Sequence, residues 1–150
     1  MNIIIIGTSS IVEHHINCFL KINFKILAIC TLNKNSSKHI YLQNKYKIRY
    51  SFNNLSQLLN LLKKHKNYCF FLAPRIKDTK FVLEKCLPYK KKIFVEKPVS
   101  TSLIFLKKLQ KYKNYIFVGY NRIFYTSIVE LKKTLNYSNN LFIEASCSEK

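Results

Sequence analysis

NIIIIGTSSIV, residues 2–12, decides how the rest of the chain is read. Four successive isoleucines are stiff at χ1 and apolar without alternation, as in a strand covered on both faces. Gly7 then breaks the run, and IVEHHINCFLK (11–21) follows with Ile11, His15, Cys18 and Phe19 at helical spacing. The stretch is therefore a strand, a glycine turn and a helix.

The same alternation repeats outward from it. FKILAIC (24–30), KIRYSF (47–52), YCFFLAP (68–74), KIFVEKP (92–98) and YIFVGY (115–120) read as strands. Between them, SSKHIYLQNKY (36–46), NLSQLLNLLKKHK (54–66), KDTKFVLEKCL (77–87) and TSLIFLKKLQKY (101–112) read as helices. The apolar stripe of the second runs through Leu55, Leu58, Leu59 and Leu62, with lysines placed in its last turn. Strands alternating with helices of this length predict βαβ units with right-handed crossovers. The expected fold is α/β, a doubly wound parallel sheet of the Rossmann type, over residues 1–122. YTSIVELKKTL (125–135), a helix, and NLFIEASCS (140–148), a strand, make residues 123–150 read as the start of a further unit.

Composition excludes several classes. No apolar run approaches the roughly 18 residues of a membrane helix, so no membrane association is expected. The start MNIIIIG carries no basic segment before its apolar run and no cleavage site, so it does not read as a secretory signal. Five cysteines, odd in number and without a CxxC pair, fit reduced thiols in a cytoplasm. A formal net charge of +19 raises nucleic-acid binding, but the lysines are scattered and arginine occurs only at Arg49, Arg75 and Arg122. Abundant Lys, Ile, Asn, Tyr and Phe together reflect A- and T-rich codons. A solvated basic surface is the simpler reading.

A strand running into a glycine turn and a helix is where a dinucleotide fold cradles phosphate. The full fingerprint is G-x-G-x-x-G; here Gly7 stands alone, with Ser9 and Val12 in the other two glycine positions. A serine Cβ narrows the approach, and a valine pushes the helix from the strand. Gly7, Thr8, Ser9, Ser10 and Ile11 form the candidate cradle; an ordinary turn fits this segment equally well. At the end of the second strand, where an acid would bind ribose hydroxyls, stands Thr31, with Lys34 nearby. Lacking that carboxylate, the site leans to NADP over NAD.

The ordered set of Gly7 turn, His15, a strand ending LAPR, FVEKP and VGYNRIF resembles the Gfo/Idh/MocA family of NAD(P)-dependent oxidoreductases. Its most specific parts are Glu96-Lys97-Pro98 and Gly119-Tyr120-Asn121-Arg122. The resemblance implies a catalytic role for Lys97, beside the nicotinamide, in proton transfer as hydride moves. Alcohol oxidation needs a proton acceptor, and burial or the positive charge of oxidised nicotinamide favours the neutral amine. Glu96 would fix the geometry, Pro98 would turn the chain, and Ala73, Pro74 and Asn121 would lie against cofactor. Arg75 and Asp78 depart from the family's usual Asn and His. His15 reads as a packed or partly exposed helix residue rather than a catalyst.

The family's chains are much longer, and the resemblance assigns their other half the substrate pocket, a catalytic Asp/His pair and the oligomerisation sheet. The domain alone is thus expected to be catalytically incomplete, a sugar or polyol derivative being the substrate of a completed enzyme. A homo-oligomer, or a separate chain supplying the other half, is the expected partner. The competing class is a non-catalytic basic module, for nucleic acid or protein, on a degenerate Rossmann fold.

Overall fold

The computed structural model describes residues 1–120 and 125–135. The six strands are β1 (Asn2–Ile6), β2 (Lys25–Cys30), β3 (Tyr50–Phe52), β4 (Tyr68–Leu72), β5 (Ile93–Val95) and β6 (Ile116–Val118). They pair in parallel throughout, in the order β3-β2-β1-β4-β5-β6. The connecting helices are α1 (Ile11–Lys21), α2 (Lys38–Tyr46), α3 (Leu55–Leu62), α4 (Ile76–Cys86) and α5 (Leu103–Leu109). Strand order reverses at the β1/β4 pair, which leaves a crevice beyond the carboxyl ends of those strands. The chain divides into two compact units, Met1–Gly119 and Tyr120–Lys150. Within the second lies a helix α6, Thr126–Leu135.

The isoleucine run builds both cores because successive side chains leave opposite faces of a strand. Ile3 and Ile5 join Val12 and Ile16 of α1 and Leu42 of α2 on one face. Ile4 and Ile6 join Leu58 of α3, Val82 of α4 and Phe105 of α5 on the other. Both faces are dry, so an unbroken apolar run is stable in β1. Asn54 starts α3 by accepting a hydrogen bond from the Ser56 amide at 2.8 Å. No described helix is long and apolar enough to cross a membrane.

Several local expectations change. The buried face of α1 passes through Val12 and Ile16, while Ile11 and Cys18 are exposed. The helical period is the expected one and its phase differs by one residue, since Val12 and Ile16 fit the same spacing as Ile11 and His15. Helix α3 ends at Leu62, so Lys63 and Lys64 follow it and do not occupy its last turn. Strand β3 starts at Tyr50, because Lys47 takes a left-handed conformation, φ 50°, that closes α2. Residues 110–112 tighten into a 3₁₀ turn after α5. The expected strand at 140–148 lies outside the described residues.

Candidate functional site

Gly7 stands at the centre of the crevice, and geometry requires a glycine there. Its φ is +113°, and a Cβ built on it would lie 2.2 Å from the Ala73 carbonyl oxygen and 2.6 Å from the Pro74 nitrogen. The turn after β1 therefore rests directly on the turn after β4. Hydrogen bonds carry the sheet into both turns: the Gly7 amide donates to the Cys30 carbonyl at 2.8 Å, and the Ala73 amide to the Ile6 carbonyl at 2.9 Å.

Around this contact opens a cavity of about 440 Å³. Gly7, Thr8 and Ser9 form one wall, Thr31 to Asn33 with Ser36 a second, and Ala73 to Arg75 with Lys77 and Asp78 a third. Ser9 is exposed at the rim, and Val12 is fully buried in the core below. Neither substitution of the glycine fingerprint fills the cavity as a buried plug. The amide of Val12 turns back to the Ser9 carbonyl at 3.1 Å, which opens α1 at Ser10 and Ile11. First-turn amides of a helix lack intrahelical acceptors and carry its positive end. Arg75 and Lys77 outnumber Asp78 on the opposite wall, and together with these amides they suit the cavity to an anionic group such as a pyrophosphate.

Thr31 lines the cavity but is 2 % exposed. Its hydroxyl lies 3.2 Å from that of Thr8 and accepts the Asn33 amide at 3.2 Å. It ties two loops together; at the same end Asn33 Oδ1 accepts the Asn35 amide at 3.2 Å and Ser36 Oγ the Lys38 amide at 3.3 Å. Lys34 is exposed and is not part of the cavity wall, whereas Arg75 and Lys77 are.

Past β4, the Glu96 amide donates to the Leu72 carbonyl at 2.8 Å and prolongs the β4–β5 ladder by one residue. Strand alternation therefore turns the Glu96 side chain to the same face as Phe94, the face covered by α1. His15 waits there: its Nε2 is 2.5 Å from Glu96 Oε1. The imidazole packs 4.4 Å from the Phe71 ring and 5.7 Å from that of Phe94, centroid to centroid. The other carboxylate oxygen accepts the Lys97 amide at 3.2 Å. Lys97 itself is exposed, and the Lys97–Pro98 peptide is cis. Asn121 and Arg122 lie outside the described residues.

Sequence reasoning set His15 aside, and the structure joins it to Glu96 across 81 positions of chain. Helical periodicity assigns a residue to a face of its own helix; it cannot name a partner on a distant strand. The usable signal was Phe94 and Glu96 two residues apart in one strand.

Comparison with known proteins agrees with this architecture. The model of the "Oxidoreductase family, NAD-binding Rossmann fold" (Gfo/Idh/MocA) matches residues 1–115. No curated protein gives a significant match. Among solved structures, a probable dehydrogenase from Thermotoga maritima is similar at TM-score 0.75 and 18 % identity, over 91 % of this chain and 41 % of its own. A myo-inositol 2-dehydrogenase from Lactobacillus plantarum is similar at TM-score 0.73 and 17 % identity, over 91 % and 41 %. An oxidoreductase from Agrobacterium radiobacter, in complex with NAD+, L-tartaric acid and magnesium, is similar at TM-score 0.76 and 16 % identity, over 91 % and 40 %. The chain thus spans about two fifths of the length of these structures. With the family's model covering all of β1 to α5 and the strand order of its fold in place, the chain belongs to the Gfo/Idh/MocA oxidoreductase family as its NAD-binding Rossmann domain.

Proposed function

We propose that this domain binds a nicotinamide dinucleotide across the crevice and presents Lys97 to the reacting end. The adenosine ribose lies towards Thr31, Asn33 and Ser36, and the pyrophosphate at the amides of Thr8 to Ile11. The nicotinamide passes Ala73 and Pro74 towards Glu96 and Lys97. The observation that carries this reading is the 440 Å³ cavity at the reversal of strand order, floored by a glycine that no side chain can replace.

Binding of the dinucleotide supplies hydride chemistry, and this chain's part is to hold and orient it. Lys97, exposed beside the end of β5, serves as the group that exchanges a proton with a substrate hydroxyl. The substrate class is a sugar or polyol derivative, in keeping with the named activity of the myo-inositol 2-dehydrogenase of like fold. Hydride transfer belongs to this domain together with a substrate half, from its own polypeptide, a partner chain or an oligomer. NADP is favoured over NAD, because no carboxylate stands at the end of β2 to repel a 2′-phosphate, and Arg75 and Lys77 line the same cavity. Reduced thiols make the cytoplasm the expected location.

Titration of the purified chain with NADH and NADPH, followed by reduced-cofactor fluorescence, tests the reading. Micromolar binding, tighter for NADPH, is expected. Absence of binding at millimolar concentration refutes it, and salt-sensitive binding of random DNA in its place favours the basic-module class.

A further inference from the structure

We infer that His15 is a positioning residue: through Glu96 it fixes the direction in which the chain leaves β5, and so the placement of Lys97. The inference rests on the cofactor reading above for its functional part, and on geometry alone for its structural part.

Glu96 is held from two sides. His15 meets Oε1 at 2.5 Å, and the Lys97 amide donates to Oε2 at 3.2 Å. One carboxylate thus joins α1 to the exit of β5. An ionised carboxylate only accepts, so Nε2 of His15 carries the hydrogen. The His15 and Glu96 side chains are 21 % and 20 % exposed, so the bond is shielded from bulk water and worth more than a surface pair. The imidazole is flanked by aromatic rings: Phe71 and Phe94, which stack 5.5 Å apart, and Phe19 at 6.0 Å.

Without the imidazole donor, the carboxylate loses its anchor to α1 and is free to rotate toward water. The Lys97 amide then loses its acceptor, and the backbone at residue 97 loses one constraint on its path out of β5. Nothing at the Gly7 turn changes, since the cavity walls contain neither His15 nor Glu96. The inferred role is therefore local to the nicotinamide end of the cofactor.

Two variants separate positioning from packing. His15→Gln keeps a donor near the place of Nε2, while His15→Leu keeps bulk and removes the donor. Each is measured for affinity to NADPH and to 2′-phospho-ADP-ribose, which lacks the nicotinamide ring. Hydrogen exchange of the Lys97 amide is followed by NMR in the same samples. His15→Leu is expected to weaken NADPH roughly tenfold, the worth of one charge-assisted hydrogen bond. It should leave 2′-phospho-ADP-ribose within about twofold and speed exchange at Lys97, with His15→Gln restoring both measures. Equal weakening of the two ligands, or unchanged exchange at Lys97 in His15→Leu, overturns the inference. If the wild-type chain binds neither ligand, the cofactor reading fails, and the exchange rate still decides whether His15 holds this turn.

Discussion

Replacing Gly7 with alanine tests the central contact of the fold. The added Cβ meets backbone, with the Ala73 carbonyl carbon at 2.3 Å and its oxygen at 2.2 Å, so no side-chain rotation relieves it. A φ of +113° adds strain for any residue bearing a Cβ, at least about 1 kcal/mol. Forcing the β1 and β4 turns apart adds a further ~1–3 kcal/mol, the usual cost of overpacking. Together they come to roughly 2–4 kcal/mol, a large share of the ~5–15 kcal/mol that stabilises a domain. At this chain length that corresponds to a fall in melting temperature of about 10 °C. Urea denaturation followed by circular dichroism measures it, with Ser9→Ala as control, because Ser9 is exposed at the rim of the same turn. A loss of less than about 0.5 kcal/mol, the scatter of neutral surface changes, would refute the reasoning.

Three further outcomes are expected. Asn54→Ala removes the side chain that caps α3 and should cost about 1 kcal/mol, read from the urea midpoint; no change would mean that water replaces the cap. The Lys45 ammonium beside Glu13, at 2.5 Å, holds that partly exposed carboxyl below its usual range. A lowered folded value stabilises above the unfolded one and is lost as pH falls through the folded one. Wild type should therefore exceed Glu13→Gln in stability at neutral pH by a margin that vanishes in acid and shrinks in high salt; an equal margin at pH 7 and pH 3 would contradict this. Thiol labelling mapped by mass spectrometry should find Cys18 fast and Cys30 and Cys86 silent until unfolding. Burial pushes Cys30 up to about 12 and Cys86 up further, and both are fully buried. Native labelling of Cys30 at the rate of Cys18 would contradict the core assignment.

The isoleucine run, the glycine after it and the regular return of apolar stretches were enough to read a parallel, doubly wound sheet. Strand burial on two faces and the requirement for crossover helices are written in local composition, and so they survive without coordinates. The helix phase at Ile11 against Val12 was not readable, because both choices satisfy a 3.6-residue period and only packing against Ile3 and Ile5 selects between them. The fate of Ser9 and Val12 was equally hidden: one points to solvent and the other into the core, which a fingerprint written as letters does not distinguish.

Residues 93–98 show the division most clearly. Their sequence alone determined a short buried strand ending in a glutamate, a lysine and a turn. That the glutamate closes on His15, and that Arg75 and Lys77 rather than Lys34 line the cavity, was decided only by tertiary structure. The physical reason is range. Secondary structure follows from periodicities within a dozen residues, whereas a carboxylate bonded to an imidazole 81 positions away depends on how α1, β4 and β5 stack.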